Sequence, residues 1–413
     1  MHVLIVHQAF AAGHEAGGTR HFEFARHLVA RGHRVTVIAG RTSYLTGRDL
    51  ADVPGAADGV TIVRPYTSRS LHRSFLHRAV SYLTFALSSA IAACRVRDVD
   101  VVFGTSPPIL QGATAWFAAR TRRVPFVFEV RDLWPDFAIE LGLLRNGALV
   151  AAARALERFL YRSADGLLVN SPGFVSHVQA VAGRRPVLIP NGVDAAQFDG
   201  ADGARFRASW QADGRFVVLY AGAHGVANSL ETIIDAAAQL QARSSALFVF
   251  VGDGKEKRAL EARAADLALR NVRFEPAHSK DDMPAVIAAA DGCVATLRDI
   301  PLFRTTYPNK VFDYMAAAKP TILAIDGVIR EVIEQSGGGV FVPPGDARAL
   351  ADAVLQLEAD PDACARMGAN ARAYVRRQFN REDQAAAFCT LLRECAEARG
   401  GPIEDAPVKR HTN

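Results

Sequence analysis

Short apolar runs separated by longer stretches with helical spacing recur along the whole chain. The opening MHVLIVHQAF reads as a buried strand, and Thr19 to Arg31 brings Phe22, Ala25 and Val29 roughly onto one helical face. Gly32 stops that helix and GHRVTVIAG supplies a second strand. Strand, loop, helix and strand within about forty residues form the unit of a doubly wound parallel sheet. Further strands are predicted at DVVFGT from Asp100, PFVFEV from Pro125 and GLLVNS from Gly166, with helix-like sequence between them. The pattern restarts with FVVLYAG from Phe216, followed by a helix with a capping box over Asn228 to Glu231 that buries Leu230, Ile233, Ile234, Ala237 and Leu240. ALFVFVG, NVRFEP, GCVATL and PTILAID continue this second series, and GGGVFVP is expected at a sheet edge because prolines follow at once. From Asp346 onward the pattern is mostly helical.

Between the two series, RRPVLIPNGVD carries two prolines and Asn191-Gly192, a turn cluster that marks a domain boundary. The expectation is an α/β chain of two Rossmann-like, doubly wound domains, 1–188 and 189–379, a helix over 380–400 and a flexible tail over 401–413. The length of 413 residues and a hydrophobic fraction of 50% are enough for two large cores, and exclude a disordered, collagenous or low-complexity chain. The first apolar run is too short for a secretory signal, and five scattered cysteines without a C-x-x-C pair fit a reduced, cytoplasmic protein. The formal charge of +5 favours anionic partners, while the dispersed arginines and the absence of a recognised motif argue against nucleic acid.

One segment departs from the soluble pattern. Ala79 to Cys94 is uncharged, is bounded by Arg78 and Arg95, and follows Arg69 and Arg73. At ~1.5 Å per residue it falls short of a bilayer's ~30 Å core. It reads either as a core helix or as an interfacial helix whose basic flank meets anionic lipid, with Arg69, Arg73, Arg78 and Phe85 facing the membrane.

Chemistry is expected where loops leave the carboxyl ends of strands. Gly17 and Gly18 precede the first helix, whose amides favour an anion, and Arg20 adds a positive charge. The spacing is not that of a dinucleotide fingerprint, and VIAGRT offers no carboxylate for a ribose diol. EVRDLWPD sets Glu129, Arg131, Asp132 and Asp136 at a strand end. Asp132 can orient an acceptor hydroxyl or take its proton, whereas an ion pair of Arg131 with a carboxylate is the purely structural alternative. YAGAHG and VGDGKEK each follow a strand, which makes Gly222, His224, Gly252 and Lys255 lining residues, with an ordinary loop histidine and a solvated lysine as the alternatives. In FRTTYPNKVFDYMAAAKP, Pro308 suits a helix start, so amides around Thr306, Tyr307 and Asn309 can face an anion that Lys310 reaches. Asp313, three residues on, can accept from a ribose diol; a simple Lys310–Asp313 pair is the alternative. Asp98 and Asp100 form a D-x-D, but it precedes a strand, so no metal is expected.

The glycine pair, IPNGVD, VGDG and YPNKVFDYMAAAKP together resemble the retaining glycosyltransferases of family 4, with the GT-B fold, from Met1 to Phe379. GGTRHFEFARHLVARGH, EVRDLWPD and YAGAHG look most like the branch that assembles bacterial surface polysaccharides, including N-acetylfucosamine-type transferases. The resemblance implies two domains facing a central cleft, a nucleotide-sugar donor, UDP-linked, on the second, and a polyprenyl-diphosphate-linked glycan acceptor on the first. It implies no cofactor beyond the donor, a peripheral place at the inner face of the cytoplasmic membrane, and a final helix returning to the first domain. The family's two acids, separated by seven residues, appear here as Thr305 and Asp313; its catalytic-site histidine as Arg131; its loop arginine as Ala223. Lys310, Arg131 and Arg20 are then the cations available to the diphosphate, and Arg131, Asp132 and Lys310 the catalytic set. A GT-B nucleotide-sugar 2-epimerase, or a weakly catalytic nucleotide-sugar and membrane-binding module, are the competing readings, and a GDP-linked donor stays open.

Overall fold

The computed structural model describes residues 1–12, 18–42, 49–50, 56–68 and 75–400. The chain divides into two compact units, one ending at Pro190 and resuming at Glu382, the other running from Asn191 to Arg381.

In the first unit eight strands form one sheet: β1 His2–His7, β2 Arg34–Ala39, β3 Ala56–Ala57, β4 Val60–Val63, β5 Val101–Ser106, β6 Phe126–Val130, β7 Gly166–Val169 and β8 Val187–Leu188. Their order is β3-β4-β2-β1-β5-β6-β7-β8, parallel except for the β3–β4 pair. The central strands are buried at every position, which is why they read as unbroken apolar runs rather than as alternation. β3, β4 and β8 have no such run, being short and at or beside the sheet's edges. The order reverses at β1, so the carboxyl ends of β1, β5 and β6 form the switch point where such sheets bind ligands. Asp100 accepts the His2 N–H at 2.6 Å, so the second aspartate of the D-x-D ties the start of β5 to β1.

The helix Arg381–Gly400 completes this unit. Phe388 stacks on Phe24 and meets Phe103 edge-on, both at 4.9 Å between ring centroids, and Leu392 joins the same core as Val3, Ile5 and Leu28.

The second unit holds β9 Val217–Ala221, β10 Leu247–Val251, β11 Val272–Glu275, β12 Gly292–Thr296, β13 Thr321–Ala324 and β14 Gly339–Phe341, all parallel, in the order β11-β10-β9-β12-β13-β14. β14 is an edge strand, as its prolines require. One side of the sheet packs on the helices Asn309–Ala316 and Val328–Ser336, the other on Glu231–Leu240 and Ala347–Ala359. The helix Glu231–Leu240 buries the expected Ile233, Ile234, Ala237 and Leu240, but its cap differs from the predicted box. Leu230 occupies the N-cap position, and Asn228 sits in the preceding short turn with its amide turned to other work.

The helix Phe75–Arg95 corrects a second expectation. Phe85 is fully buried, so it is a core residue and not a membrane contact. The outward stripe is Val80, Leu83, Leu87 and Ile91, each 50–65% exposed and spaced by three, four and four residues. No helix among the described residues is long and apolar enough to cross a membrane. Arg69 and Arg73 lie outside the described residues, as does the side chain of Arg78.

Candidate functional site

The second unit builds its cluster on the loops after β9 and β10. Gly222 has φ +150°, and a Cβ there would stand 3.0 Å from Lys310 Nζ, so a glycine lets the ammonium approach the backbone. Gly252 is fixed by a tighter contact, since its Cβ would fall 1.9 Å from the Gly222 carbonyl. Lys310 projects from the helix Asn309–Ala316, which Tyr314 anchors to the end of β9: its hydroxyl accepts the Ala221 N–H at 2.9 Å. Lys310 Nζ donates to Tyr220 Oη at 2.6 Å and to Asn228 Oδ1 at 3.3 Å, and lies 4.0 Å from the Tyr220 ring centroid. Tyr220 and Asn228 both donate onward to the Ala223 carbonyl, at 2.8 and 3.0 Å. No carboxylate meets this ammonium among the described residues, and burial pushes its pKa down to about 7.

Asp313 turns elsewhere. It pairs with Lys280, whose Nζ lies 3.1 and 3.3 Å from its two oxygens, so the Lys310–Asp313 pair weighed as an alternative does not form. Lys280 sits in the loop after β11, where HSKDD reads in the sequence as an ordinary solvated charge run with no signal of a site.

Other expected lining residues have structural duties. His224 is fully buried among Tyr220, Phe250 and Phe274; neither ring nitrogen has a hydrogen-bond partner among the described residues, and burial pushes its pKa down to about 4. It is a neutral plug beneath the loop rather than a cation for phosphate. Lys255 is exposed, while its neighbour Lys257 reaches back to the carbonyls of Gly252 and Glu275, both at 2.9 Å. Thr306 commits its N–H and hydroxyl to the Phe303 carbonyl, and Thr305 its hydroxyl to Leu302. The Tyr307 ring packs against Phe312 and Phe379, and its carbonyl accepts from Asn191. Asn309 opens the helix and is exposed, so of the anticipated amide cradle the Thr306 member is already spent.

The first unit has its own cluster at the ends of β1, β5 and β6. Glu129, fully buried on β6, accepts from Arg20 Nε at 3.1 Å, from His21 Nε2 and from Thr105 Oγ1 at 3.2 Å. Arg20 also donates to the carbonyls of Pro190 and Ile189, at 2.6 and 2.7 Å, and lies over Phe24. Its guanidinium is therefore an internal clamp, and the phosphate role expected for it is withdrawn. Against the desolvation cost, the neighbouring His21, Arg20 and Arg131 hold Glu129 well below the usual carboxylate range. Burial keeps His21 itself below its ordinary value against the opposing pull of Glu129, and its Nε2 is the donor of that pair.

Arg131 is partly exposed. Its Nε donates to Thr105 Oγ1 at 2.9 Å and its Nη2 to Pro107 O and His7 Nε2, at 3.2 and 3.1 Å; Glu129 is 4.0 Å away. Burial raises Asp132 to about 6 despite the adjacent Arg131. Asp136 belongs to a separate group with Arg154 and His177. Gly18 has open space where a Cβ would stand, so nothing steric demands a glycine there, and Gly17 lies outside the described residues. Among the described residues no metal-ligating cluster occurs.

Two Rossmann-like units, each with a cationic cluster at the carboxyl ends of its central parallel strands, define the GT-B class of glycosyltransferases. Residues 16–192 match the glycosyl transferase 4-like domain and residues 215–360 the glycosyl transferases group 1 domain. The chain belongs to the family 4 glycosyltransferases. It is 25% identical to the Escherichia coli (strain K12) protein named "Putative colanic acid biosynthesis glycosyl transferase WcaI", over 90% of this chain and 94% of that one. Its fold is shared with sucrose-phosphate synthase of Thermosynechococcus elongatus, at TM-score 0.75 and 20% identity over 96% and 99% of the two chains. It is shared also with Anabaena Alr3699/HepE in complex with UDP and glucose, at TM-score 0.72 and 18% identity over 95% and 99%.

Proposed function

We propose that this glycosyltransferase moves a sugar, with retention of anomeric configuration, from a UDP-linked donor to a lipid-linked glycan in bacterial surface-polysaccharide synthesis. The observation that carries the proposal is Lys310, an ammonium that meets no carboxylate among the described residues, set beside the Gly222 backbone and one helical turn from Asp313. Diphosphate chemistry asks for that arrangement: a cation and amides to take the departing charge, and a carboxylate to accept from the ribose hydroxyls. The bond from C1 of the sugar to the β-phosphate oxygen breaks while C1 joins the acceptor oxygen, and the acceptor proton passes to the departing phosphate. Asp132 orients the acceptor hydroxyl, Arg131 adds positive charge, and no metal is needed. The UDP and glucose bound by the Anabaena neighbour and the polysaccharide named for the Escherichia coli relative support the choice of substrates.

The acceptor's lipid brings in the helix Phe75–Arg95. Its outward stripe of Val80, Leu83, Leu87 and Ile91 is apolar, neither it nor the neighbouring helix Leu110–Arg122 contains an acidic residue, and Arg95, Arg97, Arg120 and Arg123 lie at their carboxyl ends. An apolar stripe with a basic rim suits the inner, anionic face of the cytoplasmic membrane.

Thermal stabilisation by UDP, GDP, ADP and NAD tests the donor site. A ligand at a hundred times its dissociation constant adds about 2.7 kcal/mol to the native state. UDP is expected to stabilise, with the effect reduced in Asp313→Asn. Stabilisation by GDP instead would change the donor, and a response to NAD alone would overturn the proposal.

A further inference from the structure

Resting on the donor-site reading, we infer that Lys280 is the residue that positions Asp313 for a ribose diol, holding its carboxylate so that each oxygen keeps one lone pair for a hydroxyl of the nucleotide. A carboxylate has about four acceptor positions, two on each oxygen. The Lys280 ammonium takes one on each, at 3.1 and 3.3 Å, and no other group bonds either oxygen among the described residues. Two vicinal hydroxyls bring two O–H donors, so the acceptors left over match a diol in number. The two side chains are 22% and 21% exposed, so the pair is sheltered yet open to a ligand.

The chain fixes both partners. Asp313 is on the helix Asn309–Ala316, whose Val311, Phe312, Tyr314 and Met315 are fully buried. Lys280 is presented by a loop tied down on either side of it. The Ser279 hydroxyl donates to Asp282 Oδ2 at 2.8 Å, Arg205 Nη2 donates to Asp282 Oδ1 at 2.5 Å, and the His278 ring meets Phe206 edge-on at 5.1 Å. Arg205 and Phe206 belong to the helix Ala204–Ser209, so the loop is anchored to an element outside the cluster.

The pair also decides what Lys310 meets. Asp313 lies three residues on from Lys310, the spacing at which a lysine and an aspartate can pair on a helix surface. With its oxygens turned to Lys280, the carboxylate leaves Lys310 to Tyr220 and Asn228. Without Lys280 it would turn to Lys310, the cation on its own helix, and lose its place for the diol. A partly exposed ion pair contributes little to stability, so the worth of this one lies in where it keeps the carboxylate.

Titration calorimetry of the full chain with UDP, 2′-deoxy-UDP and 3′-deoxy-UDP tests the role. Wild type is expected to bind UDP about tenfold more tightly than either deoxy analogue, since a hydrogen bond to a charged acceptor is lost with the hydroxyl. In Lys280→Met that preference should shrink to roughly twofold, with a melting temperature within a few degrees of wild type. The ratio separates positioning from charge. Loss of a lysine's attraction for the diphosphate would weaken UDP and its deoxy analogues equally and leave the preference intact, an outcome that overturns the inference. In an Asp313→Asn background, where the preference is already lost, Lys280→Met should change it no further, and a further change overturns the inference. If Lys280→Met does not fold, Lys280→Gln serves instead: its side chain is one atom shorter and uncharged, and a full preference there overturns the inference too. Wild type that binds UDP and the deoxy analogues equally removes the diol site and Lys280's part in it but leaves the donor pocket standing, whereas wild type that binds none of the three removes the donor-site reading itself.

Discussion

An ammonium gripped by a phenol and an amide, as Lys310 is, stands near its titration point at neutral pH. Charge is lost as pH rises through about 7, so UDP affinity is expected to fall above that value, and Lys310→Met should be weaker by roughly tenfold and flat with pH. The stability consequence has a definite sign. Between about 7 and the ordinary lysine value of 10.5 the unfolded chain holds the proton that the folded one has released, so stability rises with pH over that window. Lys310→Met should therefore raise the melting temperature at pH 6, with the gain fading towards pH 10.5. Glu129 works in the opposite direction. Its lowered pKa contributes stability above the ordinary carboxylate value that is lost as pH falls towards the depressed one. Glu129→Gln strands the buried Arg20, and urea titration at pH 7 should show a loss of about 3–5 kcal/mol. These roles were only partly legible in the sequence. Lys310 and Asp313 stand out by spacing, but nothing in a string of letters says that Asp313 would choose Lys280, or that Arg20 would be spent on Glu129 and two carbonyls. Such choices are made by residues more than thirty positions away.

Helices and strands were more legible because their signals are local. Buried parallel strands such as Phe126–Val130 and Leu247–Val251 announce themselves as unbroken apolar runs, whereas Val187–Leu188, two exposed residues on a sheet edge, has too short a pattern to detect. The helix Phe75–Arg95 falls between these cases. It is apolar on nearly every side, so composition does not tell which face is inward, and Phe85, expected outward, is fully buried. The two faces make separable predictions. Replacing Leu83, Leu87 and Ile91 by serine should leave the melting temperature within a few degrees, since exposed substitutions cost little, yet abolish sedimentation with anionic vesicles. Phe85→Ala should destabilise by about 3–5 kcal/mol and leave the outward stripe unaltered.

At the scale of the whole molecule, the chain leaves its first unit at Pro190, builds the second, and returns after Arg381 to finish the first. Phe388 inserts between Phe24 and Phe103, so Phe388→Ala should cost about 3–5 kcal/mol and show first in urea as loss of the first unit's structure. The return also has a meaning in time. A ribosome delivers the chain from its amino end, and domains ordinarily fold in that order. Here residues 191–381 can close as soon as they emerge, while the sheet begun at His2 must wait for Phe388 and Leu392 to leave the exit tunnel. The part made first is the part completed last, and during synthesis its bare aromatic face is the surface that a chaperone would meet.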